Sequence, residues 1–167
     1  MTDPVLADIF RASKALLDAA TAKGLALGVA ESCTGGLLGA AITAMPGSSA
    51  VFMGGMLTYS NDLKHRLLGV STDSLERYGA VSEEVAREMA SGARERLGVD
   101  IAISITGIAG PGGGTADKPV GTVCFGVSSA DGTRAMREHF DAPNRNRVRD
   151  YAVIHAMTLL SEAVAAA

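Results

Sequence analysis

The sequence predicts a single α/β domain of three layers, an α/β/α sandwich on a mixed sheet. Helically periodic segments alternate with short, uncharged apolar runs at 25–30, 50–59 and 101–107, the pattern of strands joined by helical crossovers. Two further runs, 120–128 and 133–140, are separated only by Ser129-Ala130-Asp131-Gly132, a hairpin signal, so the sheet is expected to close on an antiparallel pair. With 167 residues, 47% of them hydrophobic, the chain 1–167 has the size of one domain and enough apolar mass to hide roughly 70% of its unfolded surface.

The elements follow in order. Asp3-Pro4 reads as an N-cap with proline in the first helical position, and Leu6, Ile9, Phe10, Leu16 and Leu17 recur near helical spacing to about Ala22. Gly24 ends that helix, and 25–30 is a buried strand leading into Glu31-Ser32-Cys33-Thr34-Gly35-Gly36. A helix over 37–45 stops at Pro46-Gly47, and the strand 50–59 carries Gly54-Gly55 as a bulge or a close backbone approach. Short helices follow from Ser60 to Gly69 and, capped by Thr72-Asp73, through Arg77. Ser82 caps a longer one with acids first and Arg94 and Arg96 last, as the helix dipole prefers. After the 100–107 strand comes a glycine-rich loop, 107–114, then the hairpin. A helix from about Asn144 closes the chain, with Val148, Ala152, His155, Ala156, Leu159 and Ala163 on its inner face.

Composition excludes several classes of function. Net charge is −3, which gives no general attraction to nucleic acid or to an anionic membrane, so any phosphate binding must be local. Cys33 and Cys124 are the only cysteines, which speaks against a disulfide framework and for a reducing, cytoplasmic setting. His65, His139 and His155 lack metal-ligand spacing, so a dedicated transition-metal site is not expected. The first residues carry an acid and a proline where an export signal has positive charge and an apolar core. The stretch 32–61 holds thirty residues without a charge, long enough to span a bilayer, but Pro46 and six glycines argue for a buried region near a ligand instead.

Four segments carry chemistry. At the first, 31–36, a strand feeds a helix, so the N–H groups around Thr34, Gly35 and Gly36 and the positive helix end can receive an anion or an oxyanion. Ser32 is a candidate nucleophile there, Cys33 its rival, and simple helix capping by Ser32 or Thr34 the plain alternative. At the second, Tyr59-Ser60-Asn61-Asp62-Leu63-Lys64, a buried Lys64 of lowered pKa, or Tyr59 acting with it, supplies the base a serine needs; a solvated lysine on a short helix is the competing reading. At the third, Thr106, Gly107, Gly110, Gly112 and Gly113 belong to a loop at a strand end, where backbone N–H groups can approach a phosphate, although neither the Walker nor the dinucleotide pattern fits. At the fourth, Arg145 can clamp a phosphate through paired hydrogen bonds, while Arg147 and Arg149 cannot all share its site, and no aromatic residues interleave as in a nucleic-acid platform.

Taken together, AESCTGG (30–36), PGSS (46–49), GG-x-x-TYSN-x-x-K (54–64), GAVSEEV (79–85) and TGIAGPGGG-x-x-x-KPVGTV (106–123) resemble the CinA C-terminal domain family, over nearly the whole chain. The resemblance implies a nicotinamide mononucleotide (NMN) deamidase, an amidohydrolase of pyridine nucleotide salvage that yields nicotinic acid mononucleotide and ammonia without a metal or cofactor. It places the nucleophile on Ser32, its catalytic partners on Tyr59 and Lys64, and substrate-binding roles on Thr106 and Arg145. Helix-end N–H groups would then hold the oxyanion. A small-molecule substrate, self-association aided by apolar residues around 53–57, and no nucleic-acid or membrane partner are the matching expectations. Larger family members carry an N-terminal domain resembling molybdopterin-binding proteins, associated with pyrophosphatase activity; this chain is expected to lack both. Where members show GDRxxVR, residues 142–149 have asparagine for aspartate, which leaves the arginines beside Arg145 as alternatives for phosphate. A non-catalytic nucleotide-binding module and an amidohydrolase for another small amide are the rival readings.

Overall fold

The computed structural model describes residues 4–167, so the expected cap at Asp3 lies outside the described residues. Helix α1 (Pro4–Lys23) leads to β1 (Leu27–Glu31), α2 (Leu37–Thr43), a 3₁₀ turn (Ser48–Ala50) and the edge strand β2 (Phe52–Leu57). Then come α3 (Asn61–Leu68), α4 (Thr72–Tyr78), α5 (Glu83–Leu97), β3 (Ile101–Gly107), the hairpin β4 (Thr122–Ser129) and β5 (Gly132–His139), and α6 (Arg145–Ala166). The sheet order is β2-β1-β3-β4-β5, with β2, β1 and β3 parallel and the β3–β4 and β4–β5 pairings antiparallel, which is the mixed three-layer sandwich expected.

The strands' period of two explains the layers. Leu27, Val29, Ile101, Ile103, Ile105, Val123, Phe125 and Val127 point to one face and pack under α1, α2 and α6. The other face is built from small residues, among them Gly28, Ala30, Ala102, Ser104 and Gly126, so α5 lies directly against the sheet. A Cβ on Gly126 would sit 2.2 Å from the Ala86 carbonyl oxygen, and one on Gly92 would sit 1.8 Å from that of Leu68. Those glycines are there because helix and sheet, and then α5 and α3, touch backbone to backbone.

Some local expectations need correction. The cap of α4 is Ser71, whose hydroxyl accepts the Ser74 N–H, rather than Thr72 or Asp73; Ser71 precedes the first helical residue and so has the extended backbone a cap requires. On α1, Leu6 and Phe10 remain 44% and 38% exposed, because the helix buries only the stripe through Ile9, Leu16 and Leu17. On α6 the buried face widens to Val153, Met157, Leu160 and Val164, as it meets both the sheet and α1. Both readings of the β2 glycines hold: the register slips at Met53, and a Cβ on Gly55 would meet the Val29 side chain at 2.5 Å. Among the described residues no helix is long and apolar enough to cross a membrane.

The topology fixes where a ligand can sit. From β1 the chain crosses by α2 on one face to β2, and from β2 it returns by α3–α5 on the other face to β3. The loops leaving β1 and β3 therefore part in opposite directions, and a crevice opens at their C-terminal ends.

Candidate active site

That crevice is a cavity of about 270 Å³ lined by Ser32, Cys33, Tyr59, Lys64, Thr106, Arg145 and the 107–113 loop, with Ala80 and Val81 as a wall. It gathers the catalytic candidates from four separate segments of the chain. A larger cleft of about 350 Å³ lies between the β4–β5 turn and the end of α6, where Arg134 and Glu162 pair with each other and none of the sequence candidates contributes.

Ser32 leaves the end of β1 with its N–H donated to the Ile105 carbonyl at 3.0 Å, which ties it to β3. Lys64 comes from the first turn of α3, capped by Ser60, and helical side chains lean toward the N-terminus, so its stem returns toward the end of β2. The side chain is 1% exposed. Its Nζ donates to the carbonyls of Thr58 at 2.8 Å and Tyr59 at 3.1 Å, and stands 3.0 Å from Ser32 Oγ. Burial pushes the amine down from 10.5 to about 8. The same burial pushes the Cys33 thiol up to about 12, with the nearby Glu31 charge adding to the effect, so the rival nucleophile stays protonated.

The expected oxyanion site at the start of α2 is occupied. The carboxylate of Glu31, 2% exposed, turns back and accepts the N–H groups of Gly36 at 3.1 Å, Leu38 at 3.1 Å and Gly39 at 2.8 Å. The helix end already has its anion. Thr34, Gly35 and Gly36 do not line the cavity: Thr34 is fully buried, its carbonyl accepts the N–H of Leu37 at 3.2 Å and Arg149 Nη2 at 2.8 Å, and the three residues build the turn under Ser32. No local pattern marks Glu31 for this role, because its donors lie five, seven and eight residues on, a spacing unlike a capping box.

The remaining candidates divide by role. Thr106, 1% exposed, donates its hydroxyl to the Ala80 carbonyl at 2.8 Å and so braces the Ala80–Val81 wall. Tyr59 is 63% exposed, with its hydroxyl 3.5 Å from Arg145 Nη2, while its backbone carbonyl rather than its ring meets Lys64. Arg145 Nη1 donates to the Gly110 carbonyl at 2.7 Å, fastening the glycine loop to α6. Close packing, as much as ligand approach, demands glycine in that loop: a Cβ on Gly107 would meet the Thr122 carbonyl oxygen at 2.9 Å, and one on Gly110 the Val120 side chain at 2.5 Å. Gly112 faces open space, and Gly113 has φ +86. Among the described residues the N–H groups of Ala109, Gly110, Gly112 and Gly113 have no partner in the chain, and these residues line the cavity.

A doubly wound α/β protein with a buried serine–lysine pair at its strand ends is the class these features define. The chain belongs to the CinA C-terminal domain family, whose model matches residues 10–164. It is 56% identical over 138 residues to a CinA-like protein of Parasynechococcus marenigrum, covering 82% of this chain and 33% of that protein. It is 51% identical over 160 residues to a CinA-like protein of Mycolicibacterium gilvum, covering 94% and 38%. The chain thus spans about a third of the length of the curated relatives it matches. Among solved structures, the competence/damage inducible protein CihA of Agrobacterium tumefaciens superposes with a TM-score of 0.90 at 40% identity, over 94% of this chain and 95% of that one. A CinA superfamily protein of Escherichia coli gives 0.88 at 40% identity, over 97% and 93%.

Proposed function

We propose that the chain is a serine amidohydrolase that converts NMN and water to nicotinic acid mononucleotide and ammonia. The observation that carries this reading is the setting of Lys64 Nζ. Two of its three neighbours, the carbonyls of Thr58 and Tyr59, can only accept, so each takes an N–H. In the neutral amine the remaining direction is a lone pair, and it faces Ser32 Oγ at 3.0 Å. Lys64 rather than the Tyr59 ring is therefore the base, and the burial that lowers it to about 8 keeps part of it neutral near physiological pH.

Ser32 Oγ attacks the carboxamide carbon as its proton passes to Lys64. The oxyanion that forms finds the N–H groups at the start of α2 closed to it, since they belong to Glu31. Lys64 then returns the proton to the amide nitrogen, ammonia leaves, and water, deprotonated by the same amine, hydrolyses the acyl-enzyme and restores Ser32. Arg145 and the free N–H groups of the glycine loop suit a phosphate monoester, and the Ala80–Val81 wall suits the pyridine ring. On this reading NMN salvage is cytoplasmic work, which fits two free, buried cysteines.

The test is ammonia release from NMN, free nicotinamide and other small amides by the wild type and by Ser32→Ala. NMN should be the best substrate, free nicotinamide at least about 100-fold poorer because it forgoes the phosphate's positioning, and Ser32→Ala slower by about 1,000-fold or more. A melting temperature raised by NMN without ammonia release would leave a binding module instead.

A further inference from the structure

Of the three arginines that open α6, the mechanism above uses only Arg145. We propose that Arg149 is a positioning residue for the same reaction, setting the turn that carries Ser32 in register with the glycine loop. The proposal rests on Ser32 being the nucleophile of the amidohydrolase reading.

The turn after β1 is clamped from two sides by groups of opposite charge. On one side the Glu31 carboxylate holds three N–H groups of residues 36–39. On the other, Arg149 Nη2 donates to the Thr34 carbonyl at 2.8 Å, a charge-assisted bond to an oxygen that also accepts the Leu37 N–H. Inside the clamp the Ser32 carbonyl accepts the Gly35 N–H at 3.1 Å, so the residues between Ser32 and Leu37 have little freedom left. Gly35 has φ +63, and a Cβ there would lie 3.6 Å from Arg149 Nη2, so the turn shows the guanidinium a face of bare backbone.

Arg149 follows Arg145 by four residues, so both project from one face of α6. Arg145 grips the Gly110 carbonyl at 2.7 Å and Arg149 the Thr34 carbonyl, whereas Arg147 turns aside to Asp150 at 3.2 Å. One rigid helix face thereby sets the spacing between two loops that leave different strands and supply, respectively, the nucleophile and the free N–H groups. Thr34 does not line the cavity, so Arg149 acts through the turn and does not touch substrate. It also lines a separate polar cavity with Asn144, Asn146, Arg147 and Asp150, which opens to solvent.

The experiment compares wild type, Arg149→Met and Arg149→Lys. Ser32 labelling by a fluorophosphonate is followed by intact mass, alongside kcat and KM for NMN and the thermal transition of each variant. Arg149→Met should fold, label Ser32 and turn over about 10- to 100-fold more slowly, and keep KM within about threefold, because an ångström of misplacement costs rate rather than binding. The pH midpoint should not move, millimolar guanidinium should restore part of the rate, and Arg149→Lys should fall in between. Labelling at the wild-type rate in Arg149→Met would overturn the proposal. So would a slower rate that follows only the loss of folded protein and is not rescued by guanidinium. If wild type labels at Ser32 but releases no ammonia from NMN, the deamidase reading fails and the labelling rates still decide the role of Arg149; if wild type does not label, both fall.

Discussion

At position 64 a lysine runs its whole length through the protein to end between two carbonyls and a serine hydroxyl. Lowering its pKa from 10.5 to about 8 corresponds to roughly 3 kcal/mol of disfavoured charge, a cost that core packing would never select. The sequence named both partners by chemical type, but their contact joins residues 32 positions apart and has no local signal. Cys33 stayed a rival for the same reason, since only burial separates a reactive thiol from an inert one. With the thiol held near 12, Cys33→Ala should keep kcat/KM within about threefold of wild type, and native protein should resist alkylation by iodoacetamide. A loss of about 100-fold or more in kcat/KM would return the nucleophile's role to Cys33.

Among the elements, strands and helices were legible wherever apolar period and caps agreed: β1, β3, the hairpin and α5 fall within a residue or two of expectation. What single-strand patterns did not disclose is the unequal thickness of the two helical layers. Small residues alternate with large ones along β1, β3 and β4, and that alternation presses α5 onto the sheet while α6 stands off on a layer of Ile, Val and Phe. The α5 layer bears on the site, because the segment entering α5 provides the Ala80–Val81 wall that Thr106 braces. Gly126→Ala would drive a methyl into the Ala86 carbonyl oxygen at 2.2 Å, a backbone atom that cannot swing aside, and against the Ser104 hydroxyl at 2.8 Å. The variant should lose about 2 kcal/mol or more by chemical denaturation, as overpacked cores do, and an unchanged midpoint would show the layer to be looser than described.

For the molecule as a whole, function follows from where the topology reverses. The crossovers on opposite faces open the crevice between β1 and β3, and all four chemistry-bearing segments send residues to its rim. Their convergence was implied by the family resemblance and by the strand-end positions of two of them. The capture of the α2 N-terminus by Glu31 was not, and it closes that helix end to the oxyanion of the proposed reaction. A negative charge is favourable at that helix end, and Glu31 supplies it from within the chain.

In the proposed reaction a neutral Lys64 activates Ser32 to cleave the amide of NMN, which ties the rate to one titration. The most direct measurement is kcat/KM for ammonia release from about pH 6 to about pH 10, which reports the groups of the free enzyme. Since Lys64 is charged below about 8 and only its neutral form can take a proton, the rate should rise through about pH 8 and level off above it. A rate that is flat across that range, or that falls as pH rises through it, would rule out Lys64 as the base.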